Sequence, residues 1–325
     1  MTCLLFIYSQ LRTIAIKKGN SEFFLVMKAM ILAAGLGTRL FPLTRFRPKA
    51  LVPIVNKPII GRTIEYLKGH GVSKIIVNAH HHHGQLLDYL GGGKAFGLEI
   101  EARVEPVILG TGGGIKNTED FWHGESFLVI NGDILTNIDL NDVRKFHQDS
   151  GALVTLVLHD REPFNQVKME NDHRISDIGH GNMPDRLAFT GIHIINPRAL
   201  KHIPRDQFSD IITCYRDLIA LREPIKAYVA QGHYWFDVGT IASYVEANRK
   251  LLKEPFAIAH DCYVGPGVKF EEWAIVGARS HLEKDVEIRR SILWEEVSVE
   301  QGVRIEDSIV TSSQAVARDL VGKIL

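Results

Sequence analysis

The sequence predicts an α/β fold with a mostly parallel sheet covered on both faces, followed by a short parallel β-helix. Three observations carry this. From Ala29 to about Asn248, short apolar runs alternate with stretches of helical spacing. The runs are continuously apolar, as expected of strands buried on both faces. After Pro255 the texture changes to an apolar residue every six positions, which a 3.6-residue helix does not produce.

The elements follow in order. AMILAAG is a buried strand, and Pro58 to His70 is a helix closed by Gly69 and Gly71. KIIVNA, residues 74–79, is a strand, and GQLLDYL is a short helix stopped by Gly91-Gly92-Gly93. LEIEARVE alternates as a strand, FLVINGDIL (127–135) is a strand run leading into a turn, and ALVTLVLHD is another strand. Gly35, Asn131 to Asp133 and Asp237 all fall just after strands, where ligands of such sheets bind. Ile258, Val264, Phe270, Val276, Leu282 and Ile288 keep the six-residue period, and Val297, Val303 and Ile309 are expected to continue it after a phase slip. Gly265, Gly267, Gly277 and Gly302 supply its turns, and the length accommodates about three coils.

The composition is that of an ordinary soluble globular protein of 325 residues with zero formal net charge, which points away from nucleic acid. Cys3, Cys214 and Cys262 form no CxxC and no metal-ligand spacing, which fits a reducing cytoplasm. No apolar run is long enough to span a membrane. The opening MTCLLFIYSQLRT lacks both leading basic residues and a convincing cleavage site. Met27, just before the first strand, is the expected start, with residues 1–26 an upstream extension of little structure. The expected division is then 27–254 for the α/β domain and 255–325 for the repeats and tail.

The chemistry concentrates in Gly35-Leu36-Gly37-Thr38-Arg39 and, ten residues after that arginine, Lys49. Glycines let backbone N–H groups approach phosphate closely, and two fixed cations beside a strand end suit a nucleotide's phosphates. A dinucleotide fingerprint needs glycine where Leu40 stands, and a P-loop needs a GK[ST] that never occurs. Asp133, in Asn131-Gly132-Asp133, and Asp237, in WFDVGT, are two carboxylates that can hold Mg²⁺ between phosphate oxygens. The glycines of Leu109-Gly110-Thr111-Gly112-Gly113-Gly114 suggest close backbone approach to a flat group such as a nucleobase, and Glu105 can accept N–H bonds from its edge. His80 to His83 follow a strand directly, with no spacing that completes a zinc site.

GLGTRLFPLT…RPKAL, LGTGGG, NGD and WFDVGT, in this order between Lys28 and about Leu252, resemble the sugar-1-phosphate nucleotidyltransferases, the nucleoside-diphosphate-sugar pyrophosphorylases. The likeness is to mannose-1-phosphate guanylyltransferase-like members in particular. It implies a Rossmann-like three-layer catalytic domain, and the repeats resemble the left-handed β-helix that many members carry. It implies further that Arg39 and Lys49 face the reacting phosphates. Ala33, Gly35, Gly37, Thr38, Glu105, Gly110, Thr111 and Gly112 would then bind the nucleotide, and Asn131 and Gly191 the sugar. Asp133 and Asp237 would ligate Mg²⁺. One departure stands out. Where many hexose-type members carry Glu-Lys-Pro, this chain has Gly179-His180-Gly181-Asn182-Met183-Pro184, and Phe189-Thr190 replaces Asn-Ala before Gly191. The lysine expected at the sugar end is absent.

The implied reaction is attack of a sugar-1-phosphate oxygen on the α-phosphorus of a nucleoside triphosphate. Glu105 fits guanine or uracil, so GTP is the expected nucleotide and a UTP-dependent enzyme for N-acetylhexosamine- or muramyl-type phosphates the alternative. A non-catalytic nucleotide-sugar sensor would share the fold but could dispense with Lys49, Asp133 and Asp237. Acyl transfer by the repeats would rest on His281 alone. The repeats are better suited to self-association, giving a homo-oligomer.

Overall fold

The structure is a computed structural model and describes residues 27–311 and 315–325. The expected N-terminal extension, 1–26, lies outside the described residues. The first strand, Met27–Leu32, lies between Val72–Ala79 and Phe127–Asn131, parallel to both, and Glu99–Val104 extends the sheet beyond Val72–Ala79. Beyond Phe127–Asn131 runs Leu187–Ile195, antiparallel to it and to Val154–His159, and Ile225–Val229 then pairs in parallel with Val154–His159. The sheet is therefore mostly parallel with one reversed strand inside it. A hairpin of Asn165–Met169 and Ile175–Ile178 pairs with the start of the reversed strand.

The continuous apolar runs have the expected cause. Ile75 and Val77 join Ile60, Ile64 and Leu67 of helix Ile59–Gly69 in one apolar cluster. Ile76, between them, packs in another with Trp122 and with Tyr215 and Leu218 of helix Ile211–Ala220. Successive strand residues point to opposite faces, so both must be apolar. Each fully buried side chain of this size contributes about 1.5–3 kcal/mol.

The run 127–135 is not one strand. Phe127–Asn131 ends, Gly132-Asp133 turns, and Ile134–Thr136 pairs antiparallel with Trp235–Asp237. Gly132 is required at that turn, since a Cβ there would lie 2.7 Å from the carbonyl oxygen of Leu32.

The C-terminal strands are parallel and fit a β-helix. Tyr263 pairs with His281, eighteen residues on, and His281 with Ser298, seventeen on. The interior row runs Val276, Leu282, Ile288, then Leu293, Val299, Ile305 and Val310. The phase slips are thus five-residue steps, from Ile288 to Leu293 and again from Ile305 to Val310. Val297 and Val303 do pack inside, but Ile309 faces the other way, into a cluster shared with the catalytic part. Ile258 and Val264 keep the period yet stay 37% and 42% exposed, because the first coil has no coil stacked before it.

Candidate functional site

The strand Met27–Leu32 delivers its chain into an open loop. Gly37 has φ +66, and a Cβ there would meet Thr44 at 2.9 Å and Lys49 at 3.1 Å, so glycine alone lets the loop fold back on itself. Thr44 Oγ1 donates to the Gly37 carbonyl at 2.9 Å and holds the fold. Gly35 has no atom within 4 Å of where a Cβ would stand. Two single turns, Thr38–Leu40 and Lys49–Leu51, then set Arg39 and Lys49 on the wall of a cleft of about 300 Å³. Ala33, Gly35, Gly37, Thr38, Glu105, Gly110, Thr111, Asn131 and Asp133 line the same cleft. Thr111 and Asn131 also border an adjoining cleft of about 230 Å³ that holds Gly191 and Asp237. Gly191, at φ +77, leaves room for the Asn131 side chain, which would lie 2.5 Å from a Cβ there.

The two carboxylates meet through the antiparallel pairing of Asp237 with Ile134, reinforced by Val238 N donating to the Asp133 carbonyl at 3.0 Å. Lys49 Nζ lies 2.5 Å from Asp133 Oδ2. Among the described residues Asp237 has no such partner, and its Oδ1 is buried without a hydrogen bond. Its pKa is raised, first by burial and then by Asp133, against the opposing pull of Lys49 and Arg39. Gly239 is glycine for the same reason, as a Cβ would stand 2.7 Å from Asp237 Oδ1 and 3.1 Å from an Arg39 guanidinium nitrogen. An orphaned carboxylate oxygen beside a second carboxylate fits a hard divalent cation. Among the described residues no three His, Cys, Asp or Glu form a metal cluster. A pair of carboxylates is within the donor set of Mg²⁺, which takes one or two carboxylates and leaves its other positions to phosphates and water.

Glu105 and the glycine run both have partners within the protein. Glu105 is only 1% exposed, and both its oxygens are engaged, accepting from Asn78 Nδ2 at 2.7 Å and from Leu109 N at 3.1 Å. It braces the loop that follows it, each oxygen accepting one hydrogen bond from the protein. The glycine run approaches the protein's own chain. Cβ atoms at Gly110 and Gly112 would lie 2.5 and 3.1 Å from the Ser209 carbonyl oxygen, one at Gly113 2.7 Å from that of Gln207, and one at Gly114 2.9 Å from Glu105. Gly112 itself is buried, its N–H donating to the Ser209 carbonyl at 2.8 Å.

The sequence reading missed Asn78. This buried asparagine lines the cleft and accepts from Ala33 N at 2.7 Å while donating to Glu105, so it ties the nucleotide loop to the neighbouring strand. Its signal was available, an amide ending an apolar strand as Asn131 ends another. Also missed was Arg161. It borders a further cleft with Arg39, Phe164, Trp235 and Asp237, and reaches Glu246 only at 3.4 Å. His80 Nδ1 contacts the Glu105 carbonyl at 2.7 Å, and none of His80 to His83 lines the three clefts described.

The sequence pattern of the nucleotidyl transferase family matches residues 28–254. The chain belongs to this family. Within the nucleotidyl transferases it is similar to the mannose-1-phosphate guanylyltransferase of Mycobacterium tuberculosis, 26% identical over 305 residues that cover 86% of this chain and 82% of the relative. The N-acetylmuramate alpha-1-phosphate uridylyltransferase of Neisseria meningitidis is 32% identical over 229 residues, covering 68% of this chain and 97% of the relative. HddC from Yersinia pseudotuberculosis, solved in complex with GMP-PN, superposes with a TM-score of 0.62 at 25% identity over 70% of this chain and 100% of its own. The protein is thus a nucleotidyltransferase enzyme. Among its described residues no helix is long and apolar enough to cross a membrane.

Proposed function

We propose that the protein transfers a nucleoside monophosphate from a nucleoside triphosphate to a sugar-1-phosphate, with GTP as donor and mannose-1-phosphate or a related sugar as acceptor. The carrying observation is the convergence of Arg39, Lys49, Asp133 and Asp237 where two clefts meet. The triphosphate lies along the glycine loop, with the sugar phosphate in the cleft of Asn131 and Gly191. A phosphate monoester has a second pKa of about 6, so it is mostly dianionic at neutral pH and needs no general base. Its oxygen forms the new bond to the α-phosphorus, the α–β P–O bond breaks, and pyrophosphate leaves. The difficulty is bringing two anions together, and Arg39 and Lys49 offset that repulsion in place. Mg²⁺, held by Asp133 and Asp237, would supply charge neutralisation and alignment of the phosphate oxygens. Arg161 takes the place of the lysine absent at 179–184, as the cation on the acceptor side of Asp237. The C-terminal repeats are, on this reading, a left-handed β-helix and the site of self-association.

Guanine is favoured by the guanylyltransferase relative and by the neighbour solved with GMP-PN. A UTP-dependent reading is favoured by the uridylyltransferase relative, the more identical of the two curated relatives compared. Pyrophosphate release across four nucleoside triphosphates and mannose-, glucose-, N-acetylhexosamine- and heptose-1-phosphates tests both. The expected outcome is turnover with GTP and mannose-1-phosphate or a close relative. Strict use of UTP supports the second reading, and no release anywhere would support a nucleotide-sugar sensor.

A further inference from the structure

The loop from Gly37 to Asn56 carries both phosphate-facing cations, yet much of its apolar packing lies outside the central sheet. Leu40, Leu43, Val52 and Ile54 bury in one cluster with Ile275, Ile292, Trp294 and Ile309 of the C-terminal strands. Asn56 Nδ2 donates to the Val276 carbonyl at 2.8 Å. Between Arg39 and Lys49, Arg47 reaches the coils directly. It forms an ion pair with Glu295, and its guanidinium lies 4.6 Å from the Trp294 ring centroid. Trp294 is 4% exposed, and its Nε1 donates to Tyr244 Oη at 2.9 Å. Tyr244 belongs to helix Ile241–Leu251, which begins just after Asp237 and is capped by Thr240 and Ser243. One coil turn thus touches both the cation-bearing loop and the helix that follows the unpaired carboxylate.

We infer that the C-terminal coils form a working part of the active site, with Trp294 and Glu295 as positioning residues that hold Arg47 and, through it, Arg39 and Lys49 at the cleft. Arginine's planar fork can pair with a carboxylate while its face lies over an indole, so lysine at 47 would serve less well. With its side chains 26% and 31% exposed, the ion pair still meets water and adds little to global stability, so its removal acts on loop geometry more than on folding. Misplacing a reacting group by about 1 Å can lower a rate by up to about a hundredfold.

This inference rests on the proposed transfer reaction, and its test separates the two. The full-length protein is assayed with the substrates that the wild type uses. Glu295→Gln and Arg47→Ala are each expected to lower kcat about tenfold, and the double variant no further, because both break one link. KM for the sugar phosphate should stay within about twofold and Tm fall by less than about 2 °C. Trp294→Phe keeps the apolar packing but loses the bond to Tyr244, and should lower kcat in the same direction. If Arg47→Ala is slow while Glu295→Gln is normal, Arg47 acts on the substrate itself and the positioning role is overturned. Rate losses that merely track losses of Tm across the three variants overturn it too. No turnover by the wild type on any substrate sinks the reaction, whereas wild-type turnover with an unaffected Glu295→Gln sinks the positioning role alone.

Discussion

Asp237 is placed at a cost to the fold, and replacing it should make the metal-free protein more stable while ending catalysis. Its Oδ1 is buried without a hydrogen-bond partner. Burial, and after it Asp133, raise its pKa, with Lys49 and Arg39 only partly opposing. A carboxyl whose pKa is raised by folding binds its proton more tightly in the folded state. Its contribution is favourable below the unfolded pKa of about 3.9, fades as pH rises toward the folded pKa, and becomes a full penalty above it. A buried unsatisfied acceptor costs about 1–3 kcal/mol. Asp237→Asn removes the charge and the repulsion from Asp133 but leaves a polar amide, so the expected recovery is about 1 kcal/mol. For a chain of 325 residues that is about 1–2 °C in Tm. Thermal unfolding in EDTA at pH 8 measures it, and the gap should narrow as pH is lowered through the carboxylate range. Added Mg²⁺ should raise the wild-type Tm, by about 1.4 kcal/mol of stability at ten times its Kd, and leave the variant nearly unmoved. An Asn variant that melts at or below the wild type in EDTA at pH 8 refutes the reasoning.

Three further outcomes are expected. Glu105→Gln turns an amide donor toward Asn78 or Leu109 and should cost about 1–3 kcal/mol in denaturant unfolding, with nucleotide preference unchanged; a switch between GTP and UTP would show instead that Glu105 reads the base. Gly112→Ala forces a Cβ to 2.9 Å from Ser209 Oγ and 3.1 Å from the Ser209 carbonyl oxygen, and should cost about 1–3 kcal/mol by displacing the 207–211 segment; a neutral Tm would mean that the segment yields freely. Arg161→Gln should raise KM for the sugar phosphate about tenfold and leave KM for the nucleotide unchanged, and an equal rise in both would remove Arg161 from the acceptor side.

Much of the fold was legible because its signals are local. Strands buried on both faces must be apolar at every position, and Ile75, Ile76 and Val77 show why. The glycine loop was legible for a similar reason, since Gly37 needs both positive φ and an absent Cβ. The six-residue period announced the coils, but Ile309 shows where period alone misleads, for it keeps the spacing and packs outside. At the site, residue types were legible and their partners were not. The run at 110–114 announces a close approach without saying to what, and the answer is a carbonyl at Ser209, far along the chain. Glu105 likewise announces a carboxylate at the cleft without saying that Asn78 and Leu109 hold it.

Side-chain type and short spacing were enough to single out the strand–loop turn, Arg39 and Lys49, Asp133 and Asp237, and the six-residue period as candidates. Only the tertiary structure decided that Asp237 stands beside Asp133, that Asn78 ties the nucleotide loop to the sheet, and that Arg47 reaches Trp294 and Glu295. Those are pairings between distant segments. They are chosen by which apolar faces bury together and which strand edges remain to be paired, a choice that no local pattern encodes.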